Sequence, residues 1–148
     1  ADGEALWQSV AMLRLVFCLA LAIWLGAIVC LSFVVAPIAH GQFPAHEARR
    51  FLRPLFPRYY RLGTLCGLTA LGVVLLGRAS LSDEEVYRLV IPVATAMVTS
   101  LGGEWIAPKL RELDGDDERF GWLHQISAML NTTTLAALLL AIAGAIMR

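Results

Sequence analysis

Four apolar runs, each close to the length that crosses a lipid bilayer, constrain this chain more than any other feature. They cover 15–35, 62–76, 86–106 and 126–147, against the ~20 residues that a helix needs to traverse a hydrocarbon core. In lipid a backbone must satisfy its own hydrogen bonds, so only helices and closed barrels span it. The runs lack the period-two alternation of a barrel strand. The expectation is therefore an all-α integral membrane four-helix bundle, one domain over 1–148 with spans at approximately 13–36, 59–77, 84–107 and 124–147. The second run is short, and reaches full length with Tyr59 and Tyr60 at headgroup level, where amphipathic rings are favoured. The first lacks a clear small-residue cleavage site and reads as a retained span. Composition agrees: 58% of the 148 residues are hydrophobic and 16% charged, more apolar surface than a soluble fold of this size hides.

Twelve basic residues balance twelve acidic ones, so no global field recruits nucleic acid and charge acts through position. The segment between the first two runs carries Arg49, Arg50, Arg53, Arg58 and Arg61, and that between the last two carries Lys109, Arg111 and Arg119. The opposite side holds Arg14, Arg78, Arg88 and Arg148. The positive-inside bias then places both longer loops in the cytoplasm and both termini outside. Within "PAHEARRFLRPLFPRYYR" the basic groups alternate with Phe51, Leu52, Leu55 and Phe56, the pattern of a short amphipathic helix lying in the interface. Arg49, Arg50 and Arg53 are expected to face lipid phosphates. The bilayer is the partner implied, and nucleic acid is not.

Local signals refine the bundle. Ser82 followed by Glu85 forms a capping box that starts the third span near Asp83, and Pro92 within that span is expected to kink it. Small residues recur every four positions at Cys18, Ala22, Gly26 and Cys30, at Gly63 and Gly67, and at Ala137, Ala141 and Ala145, spacings that let membrane helices approach closely. Such stripes serve packing within the chain or contact with another subunit, so a homo-oligomer or further membrane subunits are expected partners. Two runs close on Ala-Pro, at Ala36-Pro37 and Ala107-Pro108, and each is followed by Arg-Phe, at Arg50-Phe51 and Arg119-Phe120. That pattern suggests two tandem helical hairpins.

The last span opens on "HQISAMLN", where His124, Ser127 and Asn131, with Thr134 beyond, fall within roughly a quarter of a helix circumference. Asn131 lies about 10 Å deeper than His124, where an unpaired amide facing lipid is costly. The stripe must face protein or water. At matching depth stand Ser100 and Glu104 in the third span and Tyr60 and Arg61 at the start of the second. Tyr60, Arg61, Ser100, Glu104, His124, Ser127 and Asn131 thus form a candidate polar cluster at the cytoplasmic end, with Glu104 meeting Arg61 or His124. It is either a site on a solute pathway or a hydrogen-bond clasp fixing helix register.

Catalysis and bound groups find little support. His124 and Ser127 share a helix, but nucleophilic catalysis also needs an oriented base and an oxyanion site, so no catalytic residues are assigned and no enzyme is expected. Cys18, Cys30 and Cys66 lie in apolar runs without metal-binding spacing. The histidines are misplaced for haem in a bundle core. His124, Met97 and Met129 offer copper ligands, yet methionines at helical spacing read as packing. "DGDDE" at 114–118 resembles a calcium loop but has Arg119 where glycine is required. No cofactor and no metal are expected.

At "WLGAIVCLSFVVAP", "LFPRYY" and "RFGWLHQISAMLN" the sequence resembles the four-span membrane family typified by transmembrane protein 205. Trp24, Gly26, Phe33 and Pro37 carry the likeness in the first span. Phe56, Pro57 and Tyr60 carry it at the entry to the second, and Arg119, Phe120, His124, Ser127 and Asn131 at the entry to the last. The resemblance implies a four-helix membrane protein with a role in small-solute or metal export. The alternative is an accessory structural subunit of a respiratory, photosynthetic or transport complex. Export predicts a hydrated cavity reaching Glu104 and Asn131; the accessory role predicts dry stripes and contact with other chains.

Overall fold

The computed structural model describes residues 2–112 and 118–147; "DGDDE" lies almost wholly outside them. Helix α1 (Asp2–Val29) passes through a π-helical turn (Cys30–Val35) directly into α2 (Ala36–Gln42), followed by α3 (Ala45–Leu52) and α4 (Leu55–Leu76). A 3-10 turn (Arg78–Ser80) leads to α5 (Asp83–Glu112), and α6 (Glu118–Ile146) completes an all-α chain. Four helical segments are long and apolar enough to cross a membrane.

The four long helices pack in the cyclic order α1, α4, α5, α6 and back to α1. Arg14 Nε donates to Ala145 O at 2.7 Å, which sets the middle of α1 beside the end of α6, with the N-terminal half of α1 on that side of the bundle. Both chain ends and the α4–α5 turn therefore share one end of the bundle, here the terminal end. The α1–α4 and α5–α6 connections lie at the other, the loop end.

One seam of each helix faces the core. Phe17, Leu21, Trp24 and Ile28 fill it from α1, Ala70 and Val74 from α4, Val93 and Ala96 from α5, and Leu138 and Ala141 from α6. The three- and four-residue spacings are those of a helix face. The opposite faces are apolar too: Leu19, Ile23, Leu65, Ile91, Val98 and Leu140 are all exposed. A helix apolar all round is a core or membrane helix, and here the outer faces require lipid.

Aromatic residues mark where that lipid ends. Tyr87 (64% exposed) and Trp105 (69%) stand eighteen residues apart on α5, about 27 Å of helix. That length matches a hydrocarbon core of about 30 Å. Trp122 on α6 is also exposed, and Lys109 Nζ lies 3.4 Å over the Trp105 ring.

The local signals in the sequence play out in different ways. Ser82 N and Oγ both donate to Glu85, at 2.8 and 2.9 Å, and Glu85 N donates back to Ser82 Oγ at 3.3 Å. This is the expected capping box, and α5 starts at Asp83. Arg78 pairs with Asp83 across the same turn. Contrary to the reading that two runs end at Ala-Pro, helix continues past both prolines, to Gln42 and to Glu112. The two sites differ: the turn before Pro37 widens, with Ala36 N donating five residues back to Leu31 O, whereas α5 runs unbroken through Pro92 and Pro108. A proline ring clashes with the carbonyl four residues before it, and a π-turn opens that space.

Tyr59 and Tyr60 correct another expectation. They are 8% and 6% exposed and point into the bundle rather than outward to lipid headgroups. The Tyr59 hydroxyl finds a partner inside, that of Tyr60 lies where Gly103 leaves room, and α4 gains its length from Leu55–Arg58, ahead of them.

Candidate functional site

The polar stripe of α6 enters the bundle obliquely. His124 is exposed, Ser127 and Asn131 are half-buried, and Thr134 is 1% exposed. Asn131 lies nine residues past Trp122, about 13 Å further along the helix. There its Nδ2 donates to Ser32 Oγ at 2.9 Å, and its Oδ1 accepts from the Tyr59 hydroxyl at 3.0 Å. One amide thus joins α6 to the π-turn after α1 and to the first turns of α4. One turn deeper, the Thr99 and Thr134 hydroxyls meet at 2.7 Å and tie α5 to α6. Thr134 also donates back to Leu130 O.

Glycines set the closeness of this level. A Cβ at Gly63 would lie 2.5 Å from Trp24 Nε1, one at Gly67 would lie 2.7 Å from Met97 Cγ, and one at Gly103 2.6 Å from the Tyr60 hydroxyl. Trp24, fully buried, therefore fits against α4 only because side chains are absent there. Among the described residues its indole N–H makes no hydrogen bond of good geometry. Tyr59 and Tyr60 pack ring on ring, with centroids 4.9 Å apart and planes tilted by 56°.

The expected cluster is assembled in part. Asn131 is bonded across helices, Tyr60 packs against Gly103 on α5, and Ser100 is buried one turn before it. Glu104 is half-buried beside Trp105, and neither it nor exposed Arg61 makes a hydrogen bond or ion pair with a described residue. The expected meeting of Glu104 with Arg61 or His124 is not formed. At the aromatic level solvent screens a carboxylate, and burial no longer compels a partner. Ser32 and Thr99 were not singled out in the sequence, and Tyr59 and Trp24 were singled out on other grounds than this cluster. Only Ser32, a hydroxyl in an apolar run just before Pro37, carried a signal.

The small-residue stripes divide. Gly63 and Gly67 pack inside the chain, and Ala137, Ala141 and Ala145 are buried. Ala22, Gly26 and Cys30 are exposed, and a Cβ at Gly26 would meet nothing within 4 Å.

At the loop end, α2 and α3 form a small apolar layer of Ala39, Ala48 and Leu52 against Leu55 and Phe56. Arg49, Arg50 and Arg53 are exposed. Phe43 and Phe51, with centroids 6.2 Å apart, lie exposed beside them. Among the described residues no group of three or more histidine, cysteine or acidic side chains is placed to hold a metal ion.

The family described as a domain of unknown function, DUF4149, matches residues 19–119. No curated protein and no solved structure matches the chain.

Proposed function

The chain belongs to the DUF4149 family, and from its membrane-spanning helices we propose a non-enzymatic accessory subunit that packs laterally in the bilayer through α1. The observation that carries this reading is the outward face of Ala22, Gly26 and Cys30, open to close approach by another helix. In lipid no hydrophobic drive brings helices together, so small residues on an outer face serve contact with a second helix. The occupant we favour is a second copy of this chain.

The polar cluster supports the same reading. Asn131 uses its amide on Ser32 and Tyr59, which makes it a clasp between helices. An export route through Glu104 and Asn131 would need those groups turned to a solute. The resemblance to the family typified by transmembrane protein 205 is compatible with either role. Arg49, Arg50 and Arg53 rest on lipid phosphates in this scheme, with the loop end in the cytoplasm.

Thiol crosslinking in native membranes tests the proposal. A short bis-maleimide is expected to yield a covalent dimer with the unmodified protein and with Cys66→Ser, and none with Cys30→Ser. A dimer that persists in Cys30→Ser, or a monodisperse monomer without companions in mild detergent, removes this interface.

A further inference from the structure

At the terminal end the four helices leave a mouth of about 60 Å³, room for a few water molecules. Its floor is apolar, with Leu13, Phe17 and Val74 among its residues, and two arginines, Arg14 and Arg88, line it from α1 and α5. We propose that this mouth binds a phosphate-class oxyanion, supplied by a lipid headgroup or by free phosphate.

Three observations converge on that ligand. First, Arg14 is held rather than loose: its Nε donates to Ala145 O, which also caps carbonyls at the end of α6. The guanidinium keeps one edge for that carbonyl, and Nη2 is shielded from solvent with no acceptor among the described residues. A buried cationic donor lacking a partner is rare, because the desolvated charge is uncompensated.

Second, Arg88 lines the mouth from the neighbouring helix. Its stem rests where Gly144 leaves space, a Cβ there being 3.2 Å from Arg88 Cγ. It makes no hydrogen bond or ion pair with a described residue, so its fork is available to an oxyanion. Third, the acidic group in the mouth is already engaged, since the Glu85 carboxylate accepts from Ser82 N and Oγ. Among the described lining residues two arginines stand against one carboxylate, an excess of one positive charge. An oxyanion of small size and bidentate geometry complements both its charge and its volume.

The level of the site suits either source. Arg88 follows Tyr87, whose exposed ring marks the hydrocarbon boundary, so the mouth opens at headgroup depth. The inference is independent of lateral packing through α1, which lies along a different stretch of that helix.

Thermal unfolding of the full chain tests it in two arms. Inorganic phosphate is titrated into protein in a phosphate-free maltoside detergent. Separately, vesicles of phosphatidylcholine are compared with vesicles also containing phosphatidic acid. In at least one arm the midpoint of the unmodified protein is expected to rise. A rise with phosphate alone assigns a free oxyanion, and a rise with phosphatidic acid assigns a headgroup.

Arg88→Gln removes charge but no internal bond, so it should keep the ligand-free midpoint and weaken apparent affinity at least about tenfold. Arg14→Gln is expected to lower the ligand-free midpoint as well, through the lost bond to Ala145. No rise in either arm, or an unchanged affinity in Arg88→Gln, overturns the site.

Discussion

Asn131 concentrates the residue-scale physics of this protein. Its amide has more hydrogen-bonding capacity than lipid can satisfy, and it stands about 13 Å along α6 beyond Trp122. Ser32 and Tyr59 together engage both its ends. Replacing it by leucine keeps the volume but leaves both hydroxyls without this partner. Asn131→Leu is expected to cost about 1–2 kcal/mol, since membrane hydrogen bonds are individually modest. Reversible unfolding in mixed detergent micelles measures it, and Tyr59→Phe in that background should add little, the bond being already lost. Unchanged stability in Asn131→Leu would remove the clasp. The stripe that holds Asn131 was legible because helical spacing places side chains on one face. Its partners were not, because register between helices fixes them. Tyr59 reads as an interfacial ring until Gly63 and Gly103 are seen to bring α1 and α5 close.

At the scale of elements, local chemistry decided the start of α5 and long-range packing decided the course of α1. Ser82 and Glu85 satisfy each other's backbone donors across one turn, needing nothing from the rest of the chain. Ser82→Ala is expected to destabilise the protein by about 0.5–2 kcal/mol. Hydrogen exchange should localise the effect, with amides of the first turn of α5 losing protection before those beyond Pro92. Equal protection in both proteins would show the cap to be dispensable. Pro37 illustrates the opposite case. Its sequence neighbourhood suggests a helix end, yet the chain widens into a π-turn and continues to Gln42. Continuation is favoured because Ala39 packs with Ala48 and Leu52, a contact that forms only once α3 has folded back.

For the whole molecule, we propose that the arrangement of charge about the bundle sets its orientation, with the loop end in the cytoplasm. Arg49, Arg50, Arg53, Arg58 and Arg61 gather at the loop end with Lys109, while Arg14, Arg78 and Arg88 lie toward the terminal end. Each basic group held on the cytoplasmic side is favoured by anionic lipid there. In a variant without native cysteines, His46→Cys is expected to react with an impermeant thiol reagent only from the cytoplasmic face, and Ala79→Cys only from the opposite face. Both residues are exposed, so reactivity reports sidedness. Labelling of both from one face would overturn the even number of crossings.

The sequence by itself determined the solvent, the secondary structure and the number of crossings. Run length against bilayer thickness and the absence of period-two alternation are properties of single segments, and lipid permits few answers to them. The tertiary structure alone decided which polar groups meet. Asn131 bonds Ser32 and Tyr59 while Glu104 and Arg61 remain apart, because depth along a helix says how far in a group lies but not toward which neighbour it turns. It likewise decided that Gly63 and Gly67 pack within the chain while Gly26 faces outward. Equal spacing gives every small-residue stripe the same appearance, and only the cyclic order of the helices separates an inner seam from an outer one.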